Sequence, residues 1–529
     1  MNDSADHIDL SSYGLDHDPL VRTARIKVDP PSLEDNTGFG DRVGRAAARA
    51  FPWDRVDVPV GAAADLAGVL VESDYELTVA AHGPDGGPGR LAGFWPEPWP
   101  ALGLAVDVGS TTLVLALVDL ERPAEIDRIT WPNPQVEYGA DILTRAHLAE
   151  KPEGREKLVR ALRSGVNQAA ARLAERQGAS LNRVACVAAA GNTSMTHFLL
   201  DLPLKTLIRQ PYVPVLNFPA DVRAADIGLN AAPDAPVLVM PNKGSYFGGD
   251  LISGLVVTGI NRAEAPCMMV DVGTNAEVVL GQKDWLLAAA GAAGPALEGG
   301  VAARGMIAGP GAIDRVRIDR QTKEIQYRTM GDQPARGICG SGLIDLFAEA
   351  FLSGLIDFHG RITLPPGHPL RTETDEGPAL VVVPAEEADR NEPVTLSEVE
   401  IDILTRSKAG MYTILSTVVM SVGLTFKDID RFYVAGAFGQ YIDPKMAVAV
   451  GMLPDLPLER FTPLGNSSLR GAVLALISGE ARRQLADIWR KLTYLEMNVN
   501  QDLMNRFSAA RFIPHTDRSR FPSVGATIV

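Results

Sequence analysis

Two stretches decide the fold: GLAVDVGSTTLVLALVDL (103–120) and MMVDVGTNAEVVLG (268–281). Each is an apolar run that ends in Asp-Val-Gly, passes through a turn of Ser, Thr or Asn, and enters a second apolar or alternating run. An unbroken apolar run bounded by a glycine turn is the pattern of a strand covered on both faces, so each stretch reads as strand, tight turn, antiparallel strand. Each is followed later by an apolar strand that runs into a small-residue turn and a helix: VACVAAAGNTSMTHFLL (184–200) and RFYVAGAFGQYI (431–442). Two βαβ-like halves, each opened by an Asp-Val-Gly hairpin, predict an α/β fold made by duplication, with a cleft between the halves. The distance between the copies excludes a short-period solenoid.

Outward from the hairpins, the chain divides into a polar N-terminal linker segment (1–38), a small α+β domain (39–98) and a large body (99–529). The body splits into a first half at about 99–260, a second half at about 261–480 and a tail at about 481–529. In the small domain, GDRVGRAAARAF (40–51) reads as a helix and VLVESDYELTVAA (69–81) as a strand. The Gly- and Pro-rich stretch AAHGPDGGPGRLAGFWPEPWP (80–100) reads as the boundary before the body.

Composition narrows the function. The 529 residues carry 50 Lys+Arg against 65 Asp+Glu, a net charge of −15, with 46% hydrophobic and 22% charged residues. That is a globular composition, and its acidity argues against a nucleic-acid partner. No run offers the roughly 20 apolar residues of a membrane span, and the N-terminus MNDSADHIDL lacks an apolar signal core, so a cytoplasmic location is expected. The three cysteines, Cys186, Cys267 and Cys339, are far apart and form no CxxC or Cys/His cluster. Cys186 and Cys267 sit in apolar runs as small buried hydrophobes, whereas Cys339 lies in a glycine loop and is expected to be the exposed thiol. No iron–sulfur cluster or zinc site is expected in this chain.

The turns carry the chemistry. Asp107 ends a buried strand, Gly109 permits a tight turn, and the N–H groups and hydroxyls of Ser110, Thr111 and Thr112 can converge on an anion. Asp271, Gly273, Thr274 and Asn275 repeat the device. Two such turns can hold successive phosphates of ATP, while Asp107 and Asp271 anchor Mg²⁺, a hard ion that takes oxygen ligands. A capping role for each Asp is the alternative. In FYVAGAFGQYI, Gly436, Ala437 and Gly439 let a flat adenosine approach the backbone, and Gly340-Ser341-Gly342 in GICGSGLID is a second candidate wall. No GxxxxGK[ST] occurs, so the site is not a P-loop. Glu298 and Glu277 are candidates for the base that orients water, with a solvated carboxylate an equally good reading of each; Asp141 and Asp250 are equally well explained as helix N-terminal residues.

The series PPSLEDN (30–36), NPQVEYGADILTR (133–145), AAGNTSMTHFLL (189–200), SYFGGDLISG (245–254), AAGPALEGG (292–300), GICGSGLID (337–345), VAGAFGQYIDP (434–444) and GNSSLRGA (465–472) spans nearly the whole chain. In this order it resembles the reductive activators of corrinoid proteins, within the superfamily of acetate kinase, sugar kinases, heat-shock chaperones and actin. The resemblance implies an actin-like ATPase domain and an ATP-dependent return of cob(II)amide to cob(I)amide on a partner corrinoid protein of a methyltransferase system. It also implies a homodimer. Many relatives carry an iron–sulfur domain before the PPSLED segment. Here about 28 residues precede it and the cluster cysteines are lacking, so the expectation is either that electrons come from a separate ferredoxin, flavodoxin or reductase, or that an upstream domain lies outside this sequence. The competing expectations are a small-molecule kinase of the same superfamily, an activator of a 2-hydroxyacyl-CoA dehydratase, and a nucleotide-switched binding module without turnover.

Overall fold

The computed structural model describes residues 6–525 apart from 85, 99, 274, 293–301, 496 and 498–501. The chain forms two compact units. The first comprises the residues up to Gly259 together with Ser467–Lys491; the second comprises Ile260–Asn466 together with the residues from Leu492 onward.

Among the described residues, the first unit is built on a six-stranded sheet in the order Asp6–His7, Ala124–Pro132, Thr112–Asp119, Leu102–Val108, Val184–Gly191, Val237–Val239. The hairpin expected at 103–120 is its centre: Leu102–Val108 pairs antiparallel with Thr112–Asp119 and parallel with Val184–Gly191. Every residue of Leu102–Val108 is buried except Asp107, as a strand flanked on both edges and covered on both faces requires. Val184–Gly191 is buried throughout and feeds the helix Thr193–Leu200, whose N-cap Asn192 accepts the Met195 N–H.

The main sheet of the second unit runs Phe461–Gly465, Arg431–Ala435, Cys267–Val272, Asn275–Gln282, Trp285–Ala292, Leu492–Tyr494. Cys267–Val272 pairs antiparallel with Asn275–Gln282 and parallel with Arg431–Ala435. Read from hairpin to flanking strands, this order repeats that of the first unit, so the duplication expected from the two Asp-Val-Gly stretches is present in the topology. The helix Gly340–Leu352 packs on the strand Ala312–Ile318. The helix Glu398–Ser421 opens with a capping box in which Ser397 and Glu400 satisfy each other's backbone N–H groups.

A four-stranded sheet in the first unit, Arg22–Lys27, Glu76–His82, Gly89–Trp95 and Val56–Asp57, packs with the helix Phe39–Ala50. Two expectations change here. VLVES is not strand: Leu66–Glu72 is a helix that buries Leu66 and Leu70 at i,i+4, and the strand begins only at Glu76. The Gly/Pro-rich stretch 80–100 is not a bare boundary, because Gly89–Trp95 is a strand inside it. Its glycines serve packing; a Cβ at Gly89 would lie 2.5 Å from the Trp53 ring. Part of the N-terminal segment is likewise folded, since Arg22–Lys27 pairs in register with Glu76–Ala81.

Ser467–Lys491 packs in the first unit, whereas its place in the sequence predicts the second half and the tail. The helix Ser467–Ile477 crosses Gly249–Thr258 at close range: Ser253 Oγ donates to the Ser468 carbonyl at 3.1 Å, and a Cβ at Gly471 would lie 2.1 Å from the Ser253 carbonyl oxygen. Among the described residues, no helix is long and apolar enough to cross a membrane. Because the Gly471 crossing has no room for a methyl group, Gly471→Ala should destabilise by about 1–3 kcal/mol. Differential scanning calorimetry should show this as a lowered unfolding midpoint against wild type, and an unchanged midpoint would disprove the close crossing.

Candidate functional site

In the first unit the site is built from the end of Leu102–Val108 and the turn that follows. Asp107 is half-buried, and Ser468 Oγ donates to its Oδ1 at 2.7 Å. Ser468 stands in the first turn of Ser467–Ile477, so a segment remote in sequence delivers the hydroxyl that fixes the carboxylate. Gly109 is required by the turn: a Cβ there would lie 2.2 Å from the Thr112 carbonyl oxygen. Ser110 and Thr112 are half-exposed and Thr111 is exposed.

The turn is braced by the segment 133–145. The Asn133 side-chain N–H donates to the Gly109 carbonyl at 2.9 Å, and its backbone N–H to the Thr111 carbonyl at 2.9 Å. Arg145 Nη1 donates to the Ser110 carbonyl at 2.5 Å and Nε to the Gly139 carbonyl at 2.7 Å. Arg145 is completely buried, and burial pulls its pKa below the usual guanidinium value, with the charge of Asp141 opposing. Asp141 itself N-caps the helix Ile142–Leu148, accepting the Thr144 N–H at 2.9 Å, as its helix-terminal reading expects.

In the second unit Asp271 ends Cys267–Val272 and is half-buried. It lies opposite Glu277 across the hairpin and opposite Ala435 on the parallel strand. Directly opposed residues on paired strands share a face, with Cβ atoms about 4.5–5.5 Å apart, so the two carboxylates stand side by side. Gly273 donates its N–H to the Asn275 carbonyl at 2.9 Å, and Asn275 is exposed. Thr274 and Glu298 lie outside the described residues. Gly436 has φ +82°, and a Cβ there would lie 2.7 Å from Asp271 Oδ1. The glycine that opens the helix Gly436–Tyr441 therefore makes room for the carboxylate. Ala437 follows in that helix. Gly439 faces the strand, where a Cβ would meet the Val434 carbonyl oxygen at 2.8 Å.

Gly340, Ser341 and Gly342 form the first turn of Gly340–Leu352. Ser341 is buried, and a Cβ at Gly342 would lie 2.2 Å from the Ile313 carbonyl oxygen, so these residues seat the helix on its strand. Cys339 is buried, contrary to the exposed thiol expected of a glycine loop: its Sγ sits 3.3 Å from the Ile313 carbonyl. The thiol faces the strand because Cys339 is the N-cap of a packed helix. Sequence reasoning singles out neither Ser468 nor Asn133 and Arg145 as part of the site. Their stretches, GNSSLRGA and NPQVEYGADILTR, are visible as motifs, but their contacts with the first hairpin are long-range in sequence.

Residues 12–99, 102–263 and 265–525 match, in turn, the families described as the RACo linker region, the RACo middle region and the C-terminal domain of RACo, the ASKHA domain. A solved structure of a reductive activator for corrinoid, iron–sulfur protein is 34% identical. The match covers 98% of this chain and 85% of that one, with a TM-score of 0.86. The corrinoid activation enzyme RamQ of Eubacterium limosum is 28% identical over 416 residues, 77% of this chain and 70% of the relative. The Co(II) methylated amine-specific corrinoid protein reductase of Methanosarcina barkeri is 24% identical over 441 residues, 76% of this chain and 75% of the relative.

Gly436→Ala should displace the Asp271 carboxylate, and the positive φ should cost about 1 kcal/mol or more. A crystal structure of the variant should show Asp271 in a new rotamer. An Asp271 side chain left in place with the added methyl group accommodated beside it would refute the contact.

Proposed function

This chain belongs to the family of reductive activators of corrinoid proteins, and we propose that it uses ATP to return the inactive cob(II)amide of a partner corrinoid protein to cob(I)amide. The observation that carries this reading is the match to an activator structure along 98% of the chain. The two relatives named above, a corrinoid activation enzyme and a corrinoid protein reductase, support the same substrate class. The work is cytoplasmic in this reading, the electron comes from a separate ferredoxin, flavodoxin or reductase, and the active species is a homodimer.

Making cob(I)amide is uphill, and for a one-electron step a factor of ten in equilibrium corresponds to about 59 mV. A differential affinity of about 5.5 kcal/mol swings a two-state equilibrium from 1:99 to 99:1 and offsets roughly 0.24 V. Preferential capture of one state of the corrinoid protein can therefore pull the reduction forward, with no covalent chemistry on cobalt. ATP binding sets the capturing state, and hydrolysis releases the partner.

The hairpin of each unit supplies a phosphate-binding turn: Gly109, Ser110, Thr111 and Thr112 in the first, Gly273, Thr274 and Asn275 in the second. Gly340, Ser341, Gly342, Gly436, Ala437 and Gly439 line the adenosine through their backbone. The donor chemistry suits a hard cation, because Asp107, Asp271 and Glu277 offer carboxylate oxygens, with Asp271 and Glu277 on one face of paired strands. Mg²⁺, when bound, would neutralise charge on the phosphoryl oxygens. In this reading Asp107 and Asp271 would hold it, and Glu277, which faces Asp271, would orient water.

The test is ATP hydrolysis with and without candidate corrinoid proteins, read beside the cobalt visible spectrum under a low-potential reductant. Hydrolysis should rise with the cognate partner, and the cob(I)amide spectrum should appear only with ATP. Asp107→Ala and Asp271→Ala should each lower hydrolysis by about 10²-fold or more while the protein stays folded by circular dichroism. Full turnover in a folded Asp271→Ala variant refutes the site, and transfer of phosphate to a small molecule in place of water would make the chain a kinase.

A further inference from the structure

The buried guanidinium of Arg145 is the element that the nucleotide reading does not use. Its Nε and Nη1 are each satisfied by a backbone carbonyl, but Nη2 is buried with no hydrogen-bond partner among the described residues. No carboxylate pairs with it within ion-pair distance among those residues. Arg42, also buried, shows the ordinary solution: its guanidinium meets the carbonyls of Thr37, Asp29 and Asp35 and pairs with the Asp35 carboxylate at 2.9 Å. A buried charge with an unmatched donor is costly and calls for a reason.

The turn supplies the reason. The carbonyls of Gly109, Ser110 and Thr111 accept hydrogen bonds from Asn133 and Arg145. In a trans peptide the N–H of the next residue points opposite to the carbonyl. Holding these three carbonyls toward the 133–145 segment therefore turns the N–H groups of Ser110, Thr111 and Thr112 to the other side of the turn. That is the arrangement of an anion nest, with a buried positive charge behind it that meets the field of Asp141 but no carboxylate at ion-pair distance among the described residues.

We propose that Arg145 is a positioning residue for the polyphosphate of the nucleotide: it orients the N–H groups of the 109–112 turn and leaves its own charge unpaired until an anion binds across that turn. The proposal rests on reading the turn as a phosphate site, and the bound phosphate adds negative charge to the more distant field of Asp141. Asn133 completes the brace. Gly139 allows it, since a Cβ there would lie 3.3 Å from the Arg145 side chain and 2.8 Å from that of Thr144.

Calorimetric binding of tripolyphosphate, ATP and adenosine to the full chain tests this in wild type, Arg145→Lys and Arg145→Met. Loss of charge-assisted hydrogen bonds predicts that Arg145→Met weakens tripolyphosphate and ATP about tenfold to a hundredfold and leaves adenosine within about twofold. Arg145→Lys, which keeps the charge but not the fork, should recover part of the loss. Equal losses for adenosine and tripolyphosphate would mark a purely structural arginine, and a tripolyphosphate affinity unchanged in Arg145→Met would overturn the proposal. If Arg145→Met does not fold, the ratio of tripolyphosphate to adenosine affinity in Arg145→Lys decides, an unchanged ratio overturning it. A wild-type chain that binds ATP but not tripolyphosphate overturns the Arg145 proposal alone; one that binds neither overturns the nucleotide reading with it.

Discussion

A carboxylate can stand at the end of a fully buried strand only if every other demand of that strand is met. Both Asp107 and Asp271 lie on strands paired along both edges, one neighbour antiparallel and one parallel, so the backbone is satisfied and the charge alone faces outward. A helix N-terminus then closes on each: Ser468 reaches Asp107 with a hydroxyl, and Gly436 leaves Asp271 the space a side chain would occupy. The crossing at Gly471 seats the helix that carries Ser468, and the brace from Asn133 and Arg145 fixes the turn that follows Asp107.

The duplicated halves are alike in topology and unlike in chemistry. At the position facing Asp107 across the first hairpin stands Val114, whereas Glu277 faces Asp271 in the second. The first turn is stiffened from beneath by Asn133 and Arg145. Duplication thus supplies two hairpins of the same topology, and divergence at single positions gives one a braced turn and the other a pair of facing carboxylates.

Much of this is legible in the sequence, for reasons that can be named. The hairpins are readable because strands buried on both faces leave long apolar runs, and because one polar residue inside such a run stands out. The βα turns at 184–200 and 431–442 are readable from their small residues. VLVES misleads because its apolar and β-branched residues fit a strand, while the i,i+4 pair Leu66 and Leu70 that makes it helical begins before it. The strand Gly89–Trp95 is hidden because its glycines, selected by the Trp53 ring, look like turn residues. Cys339 misleads because a glycine loop suggests exposure, and helix packing is invisible locally. Ser468, Asn133 and Arg145 escape because their partners are 361, 24 and 35 residues away.

The return of Ser467–Lys491 to the first unit has a bearing on biosynthesis. Domains generally fold as they leave the ribosome, N-terminal first. Here the first unit is not complete when its contiguous portion ends at Gly259, because the helix bearing Ser468 is translated only after most of the second unit. The nascent chain must therefore hold its sheet without the helix that covers it, and Asp107 without the Ser468 hydroxyl, while all of Ile260–Asn466 is being synthesised. A premature stop before Ser467 would damage the half that had already emerged.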